Sequence, residues 1–401
     1  MLRDRKQNLH MYTYPLLQRV SELYEEVELG NVLLLACQHL LEPQLRMFEH
    51  LLQMGLKPEN CVIVGKNYST NTEVMQELKA KGCVVAPFSQ KFDPMQPFDI
   101  WFEERLIAFV KAEISKHQIE KYSKVVILDD GGFMHLVVNE LCKDFTTLIG
   151  VEQTSSGHHK IQSANIQFPS ISVARSYQKL MFESPYIGIN GHEKIMQHLR
   201  MRQKNNPKVL VIGLGPIGRQ LAGQLLICEK FDGYAVDPKL DELRHRGMGS
   251  RGVFDLLRPE HILQPCELKQ RLKEFDLIVG TTGSPVLTNE DIENLHPEVS
   301  LVSISSSDRE FPAVPFRHHK GTLHQDYVLG ARTLVNGGFP ITFDGLRHGM
   351  PPQQIELTIA LLIIRLLDGI DNQLQHLPSV VEQIRLMWQP DEGVNNWYKK
   401  P

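Results

Sequence analysis

Short apolar runs alternate, through the first third of the chain, with stretches whose apolar positions recur at helical spacing. Residues 31–36 read as a strand, and 42–54 as a helix with Leu45, Phe48, Leu51 and Leu52 on one face. The same alternation gives strands at 61–64, 84–87 and 125–128, and helices at 70–81 and 100–116. A strand–helix repeat of this kind predicts an α/β fold with a parallel, doubly wound sheet. Asn205-Asn206-Pro207 punctuates the chain, and a second series of apolar runs starts at Lys208. The expected organisation is two such sheet domains. The first covers 1–190 and is completed by 346–390, through a helix at 352–369 that returns to it and a shorter one at 380–387. The second covers 191–345, and 391–401 form a polar tail.

The sharpest motif opens that second series, in KVLVIGLGPIGRQLAGQLL. An apolar strand runs into Gly213-x-Gly215-x-x-Gly218 and then a helical pattern, which is the context a dinucleotide-binding Rossmann unit requires. Gly213 permits the tight turn, Gly215 lets a pyrophosphate approach the backbone, and Gly218 allows close helix–strand packing. Pro216 and Ile217 lie in the first turn, where a phosphate meets the helix N-terminus. A second strand ends at Asp237, about 20 residues past the last glycine, where a ribose-binding acid belongs. A third leads into Gly280-Thr281-Thr282-Gly283, a small hydroxyl-rich loop at a strand's C-terminal end. Asp237 would repel a 2′-phosphate, so NAD is expected rather than NADP.

One polar stretch, GVEQTSSGHHK at 150–160, crowds a carboxylate, an amide, three hydroxyls and two imidazoles around Gly157. It follows an apolar run. It reads either as a surface turn or as a loop that holds a polyol.

The order of motifs resembles the adenosylhomocysteinases. That family carries DDGG, EETTTG, a Lys with an Asp-Asn pair, GxGxxG, TTTG and LVNLG. The counterparts here are Asp129-Asp130-Gly131-Gly132, Glu152 to Gly157, Lys179 with Glu183-Ser184, the glycine motif, Thr281-Thr282-Gly283 and Leu334-Val335-Asn336-Gly337-Gly338. Ala36-Cys37-Gln38-His39 looks like the family's segment with a catalytic histidine. The resemblance implies bound NAD that oxidises a ribose hydroxyl. It implies Lys179, Asp130, His39 and Glu183 as catalytic residues, with Gln153, Thr154 and Ser155 on the substrate. Gly213, Gly215, Pro216, Ile217, Gly218, Asp237, Thr281, Thr282, Gly283 and Asn336 would hold the cofactor. No metal is implied.

The departures concentrate on the substrate. Gln153 stands where the family has a second loop glutamate, and Glu183-Ser184 replaces Asp-Asn. Leu41 and Pro43 stand at positions that grip adenine, and neither can make those bonds. ITFDGLRHGMPP replaces the family's GHPSFVM, and ISSSDREF its IGHFD stretch. The family's second-strand acid falls at Ala235 or Val236, which leaves Asp237 as its substitute. The expected function is therefore an NAD-dependent enzyme that oxidises a secondary hydroxyl of a small, non-adenosine metabolite. The alternative is a catalytically silent NAD-binding relative that works as a regulator or partner subunit.

Composition changes this picture little. With 42% apolar residues, 22% charged residues and a formal net charge of −4, nothing calls for nucleic acid or a membrane surface. The six cysteines are scattered without a CxxC pair, as in a reduced cytosolic chain. Met1-Leu-Arg-Asp-Arg-Lys lacks a following apolar segment, so no secretory leader is expected, and the cytoplasm is the expected location. A small-molecule substrate and an assembly of identical subunits are the expected partners.

Overall fold

A computed structural model describes residues 12–239, 257, 259–305, 307–371, 381 and 387. Most of the second expected C-terminal helix, at 380–387, lies outside the described residues. The chain divides into two compact units. One comprises the chain up to Lys91, Glu103–Glu183 and the part from Gly345 on; the other comprises Phe92–Phe102 and Ser184–Asp344.

The first unit is built on a six-stranded sheet. Its strands are β1 (Val32–Leu40), β2 (Cys61–Thr70), β3 (Val84–Val85), β4 (Lys124–Asp129), β5 (Leu148–Glu152) and β6 (Ser170–Ser172), in the order β3-β2-β1-β4-β5-β6. Every pairing in it is parallel. All nine residues of β1 are buried, as a central parallel strand covered on both faces must be. The order reverses between β1 and β4. Open sheets of this type bind ligands beyond the C-terminal ends of the strands at such a reversal. His39 and Asp130 are both there.

Helices α1 (Pro15–Leu23), α2 (Glu42–Gln53), α3 (Thr72–Ala80), α4 (Phe98–His117), α5 (Phe133–Leu141) and α6 (Ser155–Ser163) connect these strands. The last of them shortens the expected loop: Gln153 and Thr154 remain in it, and Ser155 begins a helix that Thr154 caps. Residues 155–163 carry one large apolar side chain, Ile161, so no periodicity announces the helix. The cap does the work that pattern does elsewhere. Thr154 Oγ1 accepts from Gly157 N at 2.9 Å.

The second unit begins with α7 (Ser184–Met201). Its sheet contains β7 (Val209–Ile212), β8 (Gly233–Val236), β9 (Leu277–Gly280), β10 (Ser300–Ser303), β11 (Tyr327–Leu329) and β12 (Arg332–Leu334), in the order β11-β12-β10-β9-β7-β8. Only the edge pairing of β11 with β12 is antiparallel. Helix α8 (Pro216–Ala222) follows β7 and runs on into a π-helical turn at Gly223–Cys228. Two apolar clusters fill this unit, one around Val209, Val211, Leu225 and Val279, the other around Leu210, Ile212, Ile278 and Phe275. They use alternate residues of β7, as a strand buried on both sides requires. The short helix α9 (Leu268–Arg271) precedes β9.

Helix α10 (Pro352–Asp371) belongs to the first unit, where it packs on α1, α2, β4 and β5. Glu356, fully buried, accepts from Leu16 N at 2.7 Å. At Gly369 an added Cβ would lie 2.3 Å from Ile149 Cδ1, so the helix meets β5 through a residue with no side chain. The two units are therefore α/β layers around parallel sheets, as the alternation predicts. Among the described residues, no helix is long and apolar enough to cross a membrane.

Candidate functional site

Four side chains meet at the strand reversal of the first unit: His39 on β1, Lys66 and Ser69 on β2, and Asp130 just past β4. His39 Nε2 lies 3.3 Å from Asp130 Oδ2, and Lys66 Nζ forms a close ion pair with Asp130 Oδ1. His39 Nδ1 is hydrogen-bonded to Ser69 Oγ. Lys66 and Asp130 are each 1% exposed and His39 is 9% exposed, so the charges interact across protein rather than water. Burial alone would raise the Asp130 carboxyl. The Lys66 ammonium and His39 outweigh it and hold that carboxyl well below the usual range. Burial lowers His39, with Lys66 and Lys179 adding to it, against the pull of Asp130. An ionised acid and a neutral imidazole result, the combination that general base catalysis uses.

Lys179 and Glu183 sit on a single π-helical turn, Lys179–Glu183, with Lys179 Nζ 3.3 Å from Glu183 Oε1. Turns of this kind, inserted where a helix begins, recur at functional sites. The other Glu183 oxygen accepts from Thr358 Oγ1 of α10. The structure thus gathers all four expected catalytic residues in the first unit, and Lys179 is near enough to depress proton binding at His39.

The stretch at 150–160 has a different centre from the expected one. Glu152 ends β5 fully buried. Its Oε1 accepts from Gly131 N at 3.0 Å and from Thr154 Oγ1 at 2.7 Å, and its Oε2 accepts from Gly132 N at 3.0 Å. Gly157 is glycine because its Cβ would lie 2.2 Å from Glu152 Oε1. Thr154 spends its hydroxyl on the cap and on Glu152, and Ser155 is exposed on the first turn of α6. Gln153 is buried, and its Oε1 has no hydrogen-bond partner among the described residues; the same holds for both amide atoms of fully buried Gln38. Buried polar atoms are nearly always partnered, so these two amides, like Asn67 and Asp129 of the same unit, have an oxygen open to a polar ligand.

Beneath the loop lie Asp129, His135 and Glu152, all fully buried, with ligand-type atoms within 4.8 Å of one another. They bond to each other and to their surroundings. Asp129 Oδ2 accepts from His135 N at 2.9 Å and lies 3.0 Å from Nδ1, while His135 Nε2 is 3.0 Å from Ser170 Oγ. Burial first, then Asp129 and Asp130, push the Glu152 carboxyl from 4.5 up to about 8. The folded chain therefore keeps a proton there that the unfolded chain releases. This group's contribution to stability falls as pH rises from about 4.5 to about 8, and is level outside that window. Urea titrations across that range should show Glu152→Gln losing less stability with rising pH than the parent does. An equal slope in both proteins would mean that Glu152 is ionised throughout.

In the second unit the glycine motif is packed as its spacing requires at two of three positions. A Cβ on Gly218 would lie 2.0 Å from Gly213 O, and Gly213 has φ 109°. Gly215 has nothing within 4 Å of its Cβ position, so local packing does not demand glycine there. Pro216 and Ile217 open α8. Thr281 Oγ1 donates to Ile212 O at 3.1 Å and Gly213 O at 3.0 Å, which locks the glycine turn to the β9 loop. Asp237 accepts from Leu214 N at 2.6 Å and Lys239 N at 2.8 Å, so its carboxylate lies against the glycine turn. Asn336, at φ 50°, turns its amide N–H groups to Pro340 O at 2.8 Å and Phe343 O at 2.9 Å, and so anchors the turn after β12.

Two residues here escape the sequence pattern. Glu310, fully buried, accepts from Thr282 N, from Gly283 N at 3.1 Å and from Ser303 Oγ at 2.6 Å, and so shapes the Thr281–Thr282–Gly283 loop. Lys66 is the other. An isolated charge in the run VIVGKNYST was its only sign.

No protein-family model matches the chain. An uncharacterized protein of Mycobacterium tuberculosis is 30% identical over 352 residues, which cover 83% of this chain and 63% of that protein. The chain thus spans less than two thirds of that relative's length. Adenosylhomocysteinase of Sulfurisphaera tokodaii is 28% identical over 171 residues, 37% of this chain and 41% of that enzyme. Among solved structures, the A chain of dipicolinate synthase from Bacillus subtilis aligns with 87% of this chain and 97% of its own at 11% identity and a TM-score of 0.38. Likeness at that level says nothing about activity. The chain is similar to adenosylhomocysteinase over part of its length.

Proposed function

We propose that this protein is an NAD-dependent enzyme that oxidises a secondary hydroxyl of a small polar metabolite other than adenosine. The observation that carries the reading is the buried His39–Asp130 pair, with Lys179 near it, at the strand reversal of a doubly wound sheet. Partial similarity to adenosylhomocysteinase and the open Gly215 position in the glycine motif support it. Gly213, Gly215, Ile217 and Gly218 would hold the pyrophosphate, and Asp237 the ribose. When bound, NAD would accept hydride from the substrate carbon. Lys179 assists loss of the hydroxyl proton, and Glu183 keeps its ammonium in place. Asp130 orients His39, which exchanges protons with the carbon skeleton. Gln38 and Gln153 supply donors and acceptors for further hydroxyl groups.

One observation favours a second reading, a silent NAD-binding regulator. Both nitrogens of His39 are already engaged by the protein, one by Ser69 and one by Asp130.

Calorimetric titration of NAD and NADP into the protein tests the nucleotide assignment. NAD should bind about tenfold or more tightly, a difference of at least ~1.4 kcal/mol, because Asp237 carries the same charge as a 2′-phosphate. Tighter NADP binding overturns it. Gly215→Asp should abolish binding of both nucleotides and leave the melting temperature nearly unchanged, since its side chain has room in the folded protein. A Gly215→Asp protein that still binds NAD would remove the glycine motif from the site.

A further inference from the structure

We propose that Lys66 is a positioning residue that fixes His39 in one neutral tautomer, with the proton on Nε2, by keeping Asp130 an anion; its catalytic meaning rests on the acid–base role proposed for His39. The argument is geometric. A single carboxylate bridges two partners, Lys66 Nζ at Oδ1 and His39 Nε2 at Oδ2, 3.3 Å away. An ionised carboxylate only accepts, so Nε2 must carry a hydrogen. A neutral imidazole then has its lone pair on Nδ1, and Ser69 Oγ must donate to it. The hydroxyl's other neighbour, Lys66 O at 3.3 Å, is the weaker acceptor.

The register of the sheet makes this arrangement possible. Gln38 pairs with Gly65 across β1 and β2, which brings His39 and Lys66 to neighbouring positions at the same strand end. Asp130 N bonds Cys37 O at 2.9 Å, and this seats Asp130 on the other flank of β1. The groups around His39 are Asp130, Lys66, Lys179 and the ring of Tyr68, whose centroid is 6.1 Å away. Lys179 is itself paired with Glu183. Lys66 thus balances Asp130 as Glu183 balances Lys179. Protonating His39 would put a second cation against the same buried carboxylate and leave a net charge in the site, which its low polarity disfavours. A carboxylate and histidine alone would readily form an ion pair. Burial and the Lys66 charge together oppose it, and the Nδ1 lone pair is left to Ser69 Oγ.

The test is nitrogen NMR of the full-length protein labelled in its histidines, with His39 assigned by His39→Gln. It needs neither substrate nor nucleotide, so failure of the proposed activity and failure of this inference are separately visible. In the parent protein His39 should show the Nε2–H neutral pattern across about pH 6 to 8. Lys66→Met should raise the His39 titration midpoint by about one unit or more, a tenfold gain in proton affinity, and Lys66→Arg should leave it low. An Nδ1–H pattern in the parent would overturn the proposal, and that measurement requires no variant to fold. A midpoint that Lys66→Met does not move would overturn it equally.

Discussion

Lys179→Ala will lose on the order of 10²–10⁴ in turnover, the range that a positioned proton-transfer group supplies. The reason lies in its setting. The ammonium is held 3.3 Å from Glu183 on a π-helical turn, and Glu183 is fixed in turn by Thr358 of α10. The alanine variant loses the ammonium that the proposed chemistry uses and leaves Glu183 with Thr358 as its partner. Nucleotide affinity should be unchanged, because the glycine motif, Thr281 and Asp237 all belong to the second unit. The measurement is reduction of NAD by a panel of small hydroxyl metabolites, followed at the nicotinamide absorbance with parent and variant side by side. A variant as active as the parent would remove Lys179 from the chemistry. If neither protein reduces NAD with any substrate while both bind it, the silent-regulator reading gains instead.

The second large effect is on stability. Asp130→Ala strands Lys66, 1% exposed, without its counter-ion, and should destabilise the first unit by about 3–5 kcal/mol. Removing both charges, as in Lys66→Met with Asp130→Leu, should recover most of that loss. A buried ion pair costs about as much to desolvate as it returns, whereas half a pair only costs. Urea unfolding of Lys66→Met, Asp130→Leu and the double variant closes the cycle, with Asp130→Ala as a second measure of the stranded charge. Single and double variants that lose the same amount would show that Asp130 stabilises the fold through something other than Lys66.

The alternation of short apolar runs with helical spacing was enough to read a parallel sheet in each unit, because parallel strands covered on both faces have no polar side to blur the pattern, but β6, β10, β11 and β12 went unread. Cys61–Thr70 and Val32–Leu40 nevertheless run several residues past their apolar cores, into KNYST and CQHL. Those polar extensions are where His39, Lys66 and Ser69 reside, so hydrophobicity alone stops one step short of the site. Helix α6 was illegible for a related reason: a threonine cap and a buried glutamate organise it, and neither leaves a period. Lys66 and Glu310 escaped because their partners lie far off in sequence or on another strand. Only strand register reveals that Lys66 answers Asp130, 64 residues away. The glycine motif needed less help, since Gly218 meets the carbonyl of Gly213 within the motif itself.

The interruption of the first unit by the second has a consequence for how the chain is made. Strand β6 leaves the ribosome about 180 residues before α10, roughly ten to thirty-five seconds at ordinary rates of synthesis. Through that interval the surfaces of α1, α2 and β5 that α10 later covers are exposed to solvent and to other chains. Ser184–Asp344 is continuous apart from the short Phe92–Phe102 segment, which is already synthesised, and can close first. The nascent chain can therefore complete the unit that carries the glycine motif while the unit that carries His39 and Asp130 still lacks α10. Thr358 arrives with that helix, so the Lys179–Glu183 turn gains this partner only after the second unit has been made.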